Sequence, residues 1–429
     1  MSDEKSPEVL EKQDQVHTGW NFLILALTAI LKRAGWIFKT ESIIMPGFVY
    51  TLTSSGAIRG ILPLVSRFGR SLPQFVIAHW VNRLERKWPA LFIASLVMAM
   101  AWGSLSCIIF LLPGIEARVI LIVFFLIYAL HWIANGSAIL FEGVLHGKLV
   151  SADRRGRLLA ASNTTGCFLA IVAVYFLLER WLDKGNAGYS MVFGATSILF
   201  FVSALLVLAL KEPRDPSETH SRTFGSFVVS SASIISADKN FRRLIYVISM
   251  FYAFHFLFPH YAVFGMETLG LKGRNFVSFL IAQNTVNALG SLTMGYTADR
   301  RGNKHVLTML IIAGGCVPLL AVGIAALPPS LGRRIYWLVF ACIGVAPVLQ
   351  RIMINYVLEI CPREKHGQYL GTLNLILMIP TMASPLIGWA IDRFSFRPVF
   401  ILCSIIVFCG AIMSLKLEEP RRRGSEDRM

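Results

Sequence analysis

The sequence predicts an all-α membrane protein whose chain crosses the bilayer about twelve times. Of its 429 residues, 55% are hydrophobic and only 15% are charged, whereas soluble domains carry roughly a quarter charged residues. A soluble fold could not cover that much apolar surface, but a bilayer solvates it. The apolar residues also fall into separate runs that are long enough to cross the membrane as helices.

Two sets of six apolar runs define the predicted spans, and a polar, serine-rich stretch separates the sets. We therefore expect two pseudo-symmetric six-helix bundles, 19–211 and 240–417, joined by a cytosolic linker at 212–239 and flanked by cytosolic tails at 1–18 and 418–429. The spans fall near residues 21–50, 55–80, 89–112, 119–147, 158–180, 188–210, 241–266, 275–298, 305–327, 333–357, 369–392 and 396–416.

Lys and Arg residues are divided unequally between the two sides of the predicted membrane. The tails, the linker and the loops on the side of the termini hold 25 of the 41 basic residues, and the opposite loops hold nine. Cytoplasmic loops carry such an excess, so we expect both termini in the cytosol of a multi-pass protein of the cell membrane. Because the net charge of +16 is spread over these loops, it does not indicate nucleic-acid binding.

The seven cysteines lie almost entirely within apolar runs and form no CxxC pair. This placement favours buried free thiols over disulfides or metal ligands, and we expect no metal and no cofactor. The sequence has no Walker A pattern for ATP. Its first 17 residues are polar, so the first span is expected to direct membrane insertion without a cleaved signal.

Three sequence matches relate the two sets of spans in the same order. Residues 21–22 and 240–241 are both Asn-Phe and open the first and the seventh span. The other matching pairs are 78–87 with 295–304 and 155–163 with 366–374. Duplicated six-helix halves are the plan of many secondary transporters, in which the substrate site lies near the midplane.

The loop after the eighth span carries a family signature. Residues 295–304, GYTADRRGNK, resemble the GxxxDRxG loop of the major facilitator superfamily, and the copy at 78–87 is degenerate, with Asn82 in place of Asp. The resemblance extends over residues ~20–417. It implies a twelve-helix transporter in which spans 1, 4, 7 and 10 line the cavity.

The same resemblance implies a cytosolic gate at the signature loops. A carboxylate at the C-terminal end of a helix opposes the helix dipole, so Asp299 needs a cationic or N-terminal partner, which in the family comes from the facing end of span 11. The alternative is that these residues only anchor a loop and set its orientation. The predicted gating residues are Arg83, Gly295, Asp299, Arg300 and Gly302.

Seven basic residues fall inside predicted spans, where each costs at least about 2.5 kcal/mol at the bilayer centre. They are Lys32, Arg33, Lys39, Arg59, Arg67, Arg70 and Arg351, and we expect them to face an aqueous cavity or a partner. On a continuous helix, Lys32 and Lys39 would share one face. The predicted substrate-binding residues are Lys32, Trp36, Lys39, Arg59, Arg70, His131, Asn135, His255, Gln283, Arg351 and Asn355.

Because these cations outnumber the deep carboxylates, the sequence favours an organic or phosphorylated anion as the small-molecule substrate. Glu41 and Glu142 are the predicted carriers of a coupled proton, and we expect a monomer in the lipid bilayer. Transport of neutral solutes or lipophilic drugs, and a sensor that binds a solute without moving it, are the alternatives. The sequence contains no HExxH or GxSxG motif for a membrane enzyme.

Overall fold

The computed structural model describes residues 7–81, 83–215 and 224–419, and these residues form helices and connecting turns without a β-strand. We number the helices α1 to α20 in chain order. Helices α1 to α8 are Pro7–Ile37, Ile44–Leu52, Gly56–Val81, Trp88–Leu111, Ala117–Leu149, Ala152–Ala173, Glu179–Leu182 and Asn186–Val207. Helices α9 to α20 are Phe224–Ala237, Lys239–Phe256, Phe258–Leu269, Asn275–Arg301, Asn303–Ala325, Pro329–Ile335, Trp337–Ile343, Ala346–Ile360, His366–Ile376, Met378–Thr381, Ser384–Phe394 and Phe396–Ser414.

Ten helical stretches among the described residues are long and apolar enough to cross a membrane. Helices α3 and α12, with 26 and 27 residues, are also long enough but more polar. They match the second and the eighth predicted spans, so the described helices account for twelve spans. The predicted fold class, an all-α multi-span protein, is confirmed.

The described residues form two compact units. Unit 1 comprises the described parts of Met1–Lys39, Gly69–Ala173 and Ala187–Ser221, and unit 2 comprises those of Thr40–Phe68, Val174–Asn186 and Arg222–Met429. These units differ from the two predicted six-helix bundles because α2 and the first half of α3 are assigned to unit 2. The division into two pseudo-symmetric bundles therefore stays a prediction.

Close helix packing in unit 1 depends on two glycines. A Cβ atom on Gly136 of α5 would lie 2.5 Å from the carbonyl oxygen of Arg70, and one on Gly69 would lie 2.6 Å from the Cβ of Trp132. Small residues allow helix backbones to approach in this way within membranes. These contacts hold α3 against α5, so that Trp132 and its neighbour His131 lie at the point of closest approach.

The first predicted span is broken in the structure. Helix α1 begins at Pro7, inside the predicted tail, and ends at Ile37, and α2 starts at Ile44. The hydroxyl of Thr40 accepts a hydrogen bond from the backbone amide of Ile44, the first residue of the new helix, at 3.3 Å. Lys39 therefore lies in the connecting turn, and the expectation that it shares a helical face with Lys32 is wrong.

The predicted linker is partly helical. Its residues Phe224–Ala237 form α9, which packs on α17 in unit 2. The amide of Gln368 donates to the Ser230 hydroxyl at 2.7 Å, and the hydroxyl of Thr372 donates to that of Ser231 at 2.8 Å. The apolar residues of this stretch explain the helix, because they gain packing against α17 that a solvated loop would not provide.

Candidate functional site

Lys39 lies in an aromatic enclosure in unit 1. Its side chain is almost completely buried, and its Nζ lies 3.3 Å from the centre of the Trp36 ring and 4.5 Å from that of Trp132. Cation–π attraction of this kind is strongest when the cation is desolvated. The tryptophan rings therefore stabilise a buried positive charge.

His131 completes the enclosure. Its Nδ1 accepts a hydrogen bond from the Trp102 indole N–H at 3.0 Å, and the Phe200 ring stacks on the imidazole at 5.8 Å. Because the indole N–H is only a donor, the remaining proton of the imidazole must be on Nε2. This Nε2 is buried and makes no hydrogen bond among the described residues. His131 thus holds an unused hydrogen-bond donor beside the Lys39 cation.

A second polar group in unit 1 connects α1 with α5. The ammonium group of Lys32, on a residue only 8% exposed, forms an ion pair with the Glu142 carboxylate. Two turns before Glu142, buried Asn135 donates to the sulfur of Met98 at 3.7 Å, and its Oδ1 makes no hydrogen bond in the described part of the chain. A predicted substrate-binding cation on the first span and a predicted proton carrier on the fourth, which the sequence did not pair, are therefore in direct contact.

In unit 2, Arg67 of α3 contacts neutral groups. Its Nη2 donates to the side-chain oxygen of Asn374 at 3.2 Å, and its Cζ lies 5.5 Å from the centre of the Tyr252 ring. Tyr252 stacks in turn on His255 at 5.1 Å. Among the described residues Arg67 contacts no carboxylate, and its buried Nε makes no hydrogen bond. The guanidinium group therefore keeps both a net charge and an unused donor.

Arg59 has different surroundings, although it lies on the same helix. It is 1% exposed, its Nη1 donates to the Ser54 carbonyl at 2.8 Å, and its Cζ lies 5.6 Å from the Tyr50 ring centre. Glu267 and Asp392 both lie within electrostatic range of its guanidinium group. The Arg59 charge is therefore compensated by carboxylates, whereas that of Arg67 is not.

Of the remaining predicted binding and proton-coupling residues, all but Arg70 lie in unit 2. Gln283 accepts from the Ser42 hydroxyl at 2.9 Å, and the carboxylate of Glu41 accepts from the Ser66 hydroxyl at 3.2 Å. Arg351 donates to the Asn287 side-chain oxygen at 3.0 Å and to the hydroxyl of Ser291. Asn355 is exposed on α16. Arg70, on the unit 1 part of α3, contributes its carbonyl to the Gly136 contact.

The second signature loop lies beside the segment after α20. Gly302 has a φ of +89°, which favours glycine, and a Cβ there would lie 2.5 Å from a carboxylate oxygen of Glu419. The guanidinium of Arg300 lies 4.2 Å from the Tyr296 ring centre, Asp299 is exposed at the end of α12, and Gly295 has open space around it. Arg83 is exposed, and Asn82 lies outside the described residues. The gating roles of the signature residues stay predictions.

A related contact occurs in the first half. Glu212 follows α8 in the sequence LKEP, as Glu419 follows α20 in LEEP. One oxygen of the Glu212 carboxylate accepts from the backbone amides of Lys87 and Trp88 at 2.7 and 2.8 Å, and the other pairs with Lys148 at 3.0 Å. The carboxylate therefore caps the start of α4, where the helix dipole favours negative charge. The repeated LxEP pattern is a sequence signal that could have revealed both contacts.

Asp215 extends this network to the surface, outside the spans. Hydrogen bonds from Lys148 and Lys87 hold the pKa of its carboxyl below the usual range. Its contribution to stability is therefore complete above about pH 4, the ordinary aspartate pKa, and is lost as the pH falls through its lowered pKa in the folded state. We expect Asp215→Asn to lower thermal stability at pH 7 but not in strong acid.

Thermal unfolding of the purified protein between pH 3 and pH 7 would measure this difference. The matched control is Glu116→Gln, because Glu116 forms an exposed pair with Arg118 at 3.8 Å and such pairs contribute little. A pH-independent effect of Asp215→Asn would show that the loss does not come from ionisation.

Sequence reasoning missed several residues of these clusters. Trp102 and Trp132 lie on the third and fourth spans, and only packing shows that they enclose a residue from the first. Glu267 and Asp392 lie near span ends, where a carboxylate is usually solvated. No group of three or more His, Cys, Asp or Glu side chains among the described residues is placed to hold a metal ion.

Membrane-length helices, an internal repeat and buried cations together define a multi-pass membrane transporter. The chain belongs to the Major Facilitator Superfamily, whose family model matches residues 22–377 and 276–428. The resemblance found in the signature loop is therefore confirmed.

Relatives of known function are transporters of different solutes. A 161-residue stretch is 30% identical to the multi-drug resistance efflux pump PmrA of Streptococcus pneumoniae and covers 35% of this chain and 37% of that protein. Among solved structures, the nucleoside transporter NupG matches with a TM-score of 0.66 at 13% identity, covering 92% of this chain and 99% of that one. The D-xylose–proton symporter matches at 0.67 and 15% identity, with 92% and 98% covered. These likenesses at low identity show the fold alone.

Proposed function

We propose that this transporter is a secondary active carrier that moves an organic or phosphorylated anion by alternating access, with protons as the coupling ion. The observation that carries the anion assignment is Arg67. Its guanidinium group contacts an amide and an aromatic ring, and its buried Nε makes no hydrogen bond among the described residues. A buried donor on a charged group is costly when it has no acceptor, so a negatively charged solute would supply the acceptor that Arg67 Nε lacks among the described residues.

Lys39 supports the same assignment. Cation–π contacts with Trp36 and Trp132 keep its charge in the protein interior, and His131 adds a neutral donor beside it. Carboxylate and phosphate groups bind most strongly to such charged donors. Arg59 remains a predicted binding residue, but Glu267 and Asp392 already lie near its charge, so Arg67 gives the sharper test.

Arg67→Gln is expected to weaken anion binding at least about tenfold, because hydrogen bonds to charged groups contribute about 1.5–3 kcal/mol. Arg67→Lys should lose less, since it keeps the charge but not the planar set of donors. Binding would be measured by ligand-induced thermal stabilisation with succinate, glucose 6-phosphate, glucose and ethidium as probes.

The control is Arg118→Gln, which removes an arginine whose side chain is 89% exposed. It should leave binding unchanged. Stabilisation by glucose or ethidium alone, unaffected by Arg67→Gln, would contradict the anion assignment and leave Arg67 with a structural role.

Export of lipophilic drugs is the second candidate. The partial identity with a multidrug efflux pump favours it, as do the tryptophan rings around Lys39, which offer apolar contact area. Ethidium efflux from cells that express the protein would separate the two, because an anion carrier should not lower ethidium accumulation.

The sensor alternative is tested by counterflow. In proteoliposomes preloaded with an unlabelled solute, a carrier exchanges labelled solute across the membrane, whereas a sensor only binds it. We further propose that the protein is a monomer in the cell membrane. The distribution of basic residues supports a cytosolic location for both termini.

A further inference from the structure

The start of α3 is capped by a carboxylate from α19. Asp392 Oδ1 accepts from the backbone amide of Gly56 at 2.6 Å, and Oδ2 accepts from the amide of Ala57 at 3.0 Å and from the Ser55 hydroxyl at 3.1 Å. The first amides of a helix have no partner within the helix. One carboxylate therefore satisfies two of them, and the partial positive charge of the helix end attracts it further.

The two helices touch through their backbones beside this contact. A Cβ on Gly388 would lie 2.0 Å from the carbonyl oxygen of Gly56, and one on Gly60 would lie 2.5 Å from that of Ser384. Gly56 and Gly60 are thus one helical turn apart on α3 and face Ser384 and Gly388, one turn apart on α19. No larger residue fits at these glycines while the contact is closed.

The contact joins the two sequence repeats at the membrane face opposite the signature loops. Helix α3 belongs to the first repeat, and α19 belongs to the second. Arg59, one turn into α3, lies within electrostatic range of Asp392 and of Glu267 on α11. Positive charge on the α3 side thus meets negative charge on the α11 and α19 side.

We propose that Asp392 is a gating residue: its carboxylate holds the start of α3 against α19, and it must release the Gly56 and Ala57 amides when this side of the transporter opens. The inference rests on the alternating access proposed above. The exposed position of Asp392 suits such a switch, because water can replace both partners on release.

The first half of the internal repeat contains an aspartate, Asp183, that can be compared with Asp392. Asp183 precedes Lys184 after α7 as Asp392 precedes Arg393 in α19, with an offset close to those of the other matches. The Asp183 side chain makes no hydrogen bond or ion pair among the described residues. Within the described part of the chain, the start of α12, which corresponds to that of α3, has no side-chain hydrogen bond from its N-cap residue, Arg274. The carboxylate cap is thus a feature of the α3–α19 edge.

The test measures the distance between α3 and the segment after α19. Spin labels on unnatural amino acids at exposed Ser54 and Arg397 leave the native cysteines in place, and double electron–electron resonance reports the short and long populations without any ligand. Asp392→Asn, which keeps the shape but not the charge, should raise the long-distance population about twofold to fivefold. Gly388→Ala should shift it in the same direction by steric clash, and Asp183→Asn should leave it unchanged.

The outcomes distinguish a gating role of the Asp392 carboxylate from packing alone, and they also test alternating access at this edge. An unchanged distribution in Asp392→Asn, with a shift in Gly388→Ala, would show that packing alone holds this edge and would overturn the gating role. One short distance in the wild type and in every variant would count against alternating access at this edge, and so against the proposed mechanism as well. The expected pattern, a shift for Asp392→Asn but not for Asp183→Asn, would establish the carboxylate as part of the gate.

Discussion

Glu142→Gln is expected to abolish proton-driven accumulation of the substrate while leaving counterflow exchange intact. The Glu142 carboxylate is paired with the Lys32 ammonium, which is largely buried. Protonation of Glu142 would break this pair and leave a buried cation, which an anionic substrate could then neutralise. A proton and an anion would thus bind together, and this co-binding is the thermodynamic requirement for coupling.

The expected loss of substrate accumulation follows from the size of the proton gradient that drives it. For each coupled proton, a gradient of one pH unit sustains about tenfold accumulation. In proteoliposomes the wild type should reach that level, whereas Glu142→Gln should equilibrate the solute without concentrating it. Glu142→Asp keeps an ionisable group and should retain part of the coupling.

Two controls separate coupling from folding. Because Glu142→Gln leaves Lys32 without its carboxylate, the double variant Lys32→Gln, Glu142→Gln removes both charges and should fold at least as well. Glu41→Gln tests the other predicted proton carrier, whose carboxylate accepts a hydrogen bond from the Ser66 hydroxyl. Full accumulation by Glu142→Gln would exclude Glu142 as the proton carrier.

The fold was accessible from the sequence because bilayer thickness sets a length that apolar runs must match. Even α3 and α12, which are more polar than the other spans, were recoverable from their place in the repeat. The break between α1 and α2 was not, since no proline or glycine marks residues 38–43 and the hydrogen bond from the Ile44 amide to the Thr40 hydroxyl is visible only in the structure.

The candidate site was only partly accessible. Charged residues in apolar runs identified Lys32, Lys39 and Arg67 as unusual, because lipid tolerates few charges. Which partner each would meet depends on packing between distant segments, so the sequence could not tell that Arg67 contacts an amide while Arg59 lies near carboxylates. The same limit applies to Asp392, whose partner is a helix end formed more than 300 residues earlier in the chain.

The Glu212 carboxylate offers the largest expected effect on stability. Its side chain is fully buried between the start of α4 and Lys148 of α5. Glu212→Ala would leave two helix-start amides without an acceptor and Lys148 with only the partly exposed Asp215 as its counter-charge. Removing one member of a buried pair costs about 3–5 kcal/mol, so we expect the apparent melting temperature in detergent to fall by about 5 °C or more.

The matched control lies in the same loop region. Glu85 pairs with Arg214 at 3.8 Å, and both side chains are mostly exposed, so Glu85→Ala should change stability by less than about 1 kcal/mol. Glu212→Gln keeps an acceptor for the two amides and should fall between the wild type and Glu212→Ala. If Glu212→Ala were no less stable than Glu85→Ala, the LxEP carboxylate would not hold the start of α4. The position of Glu419 beside Gly302 would then no longer suggest a stabilising role for that carboxylate, because the suggestion comes from the same repeated motif.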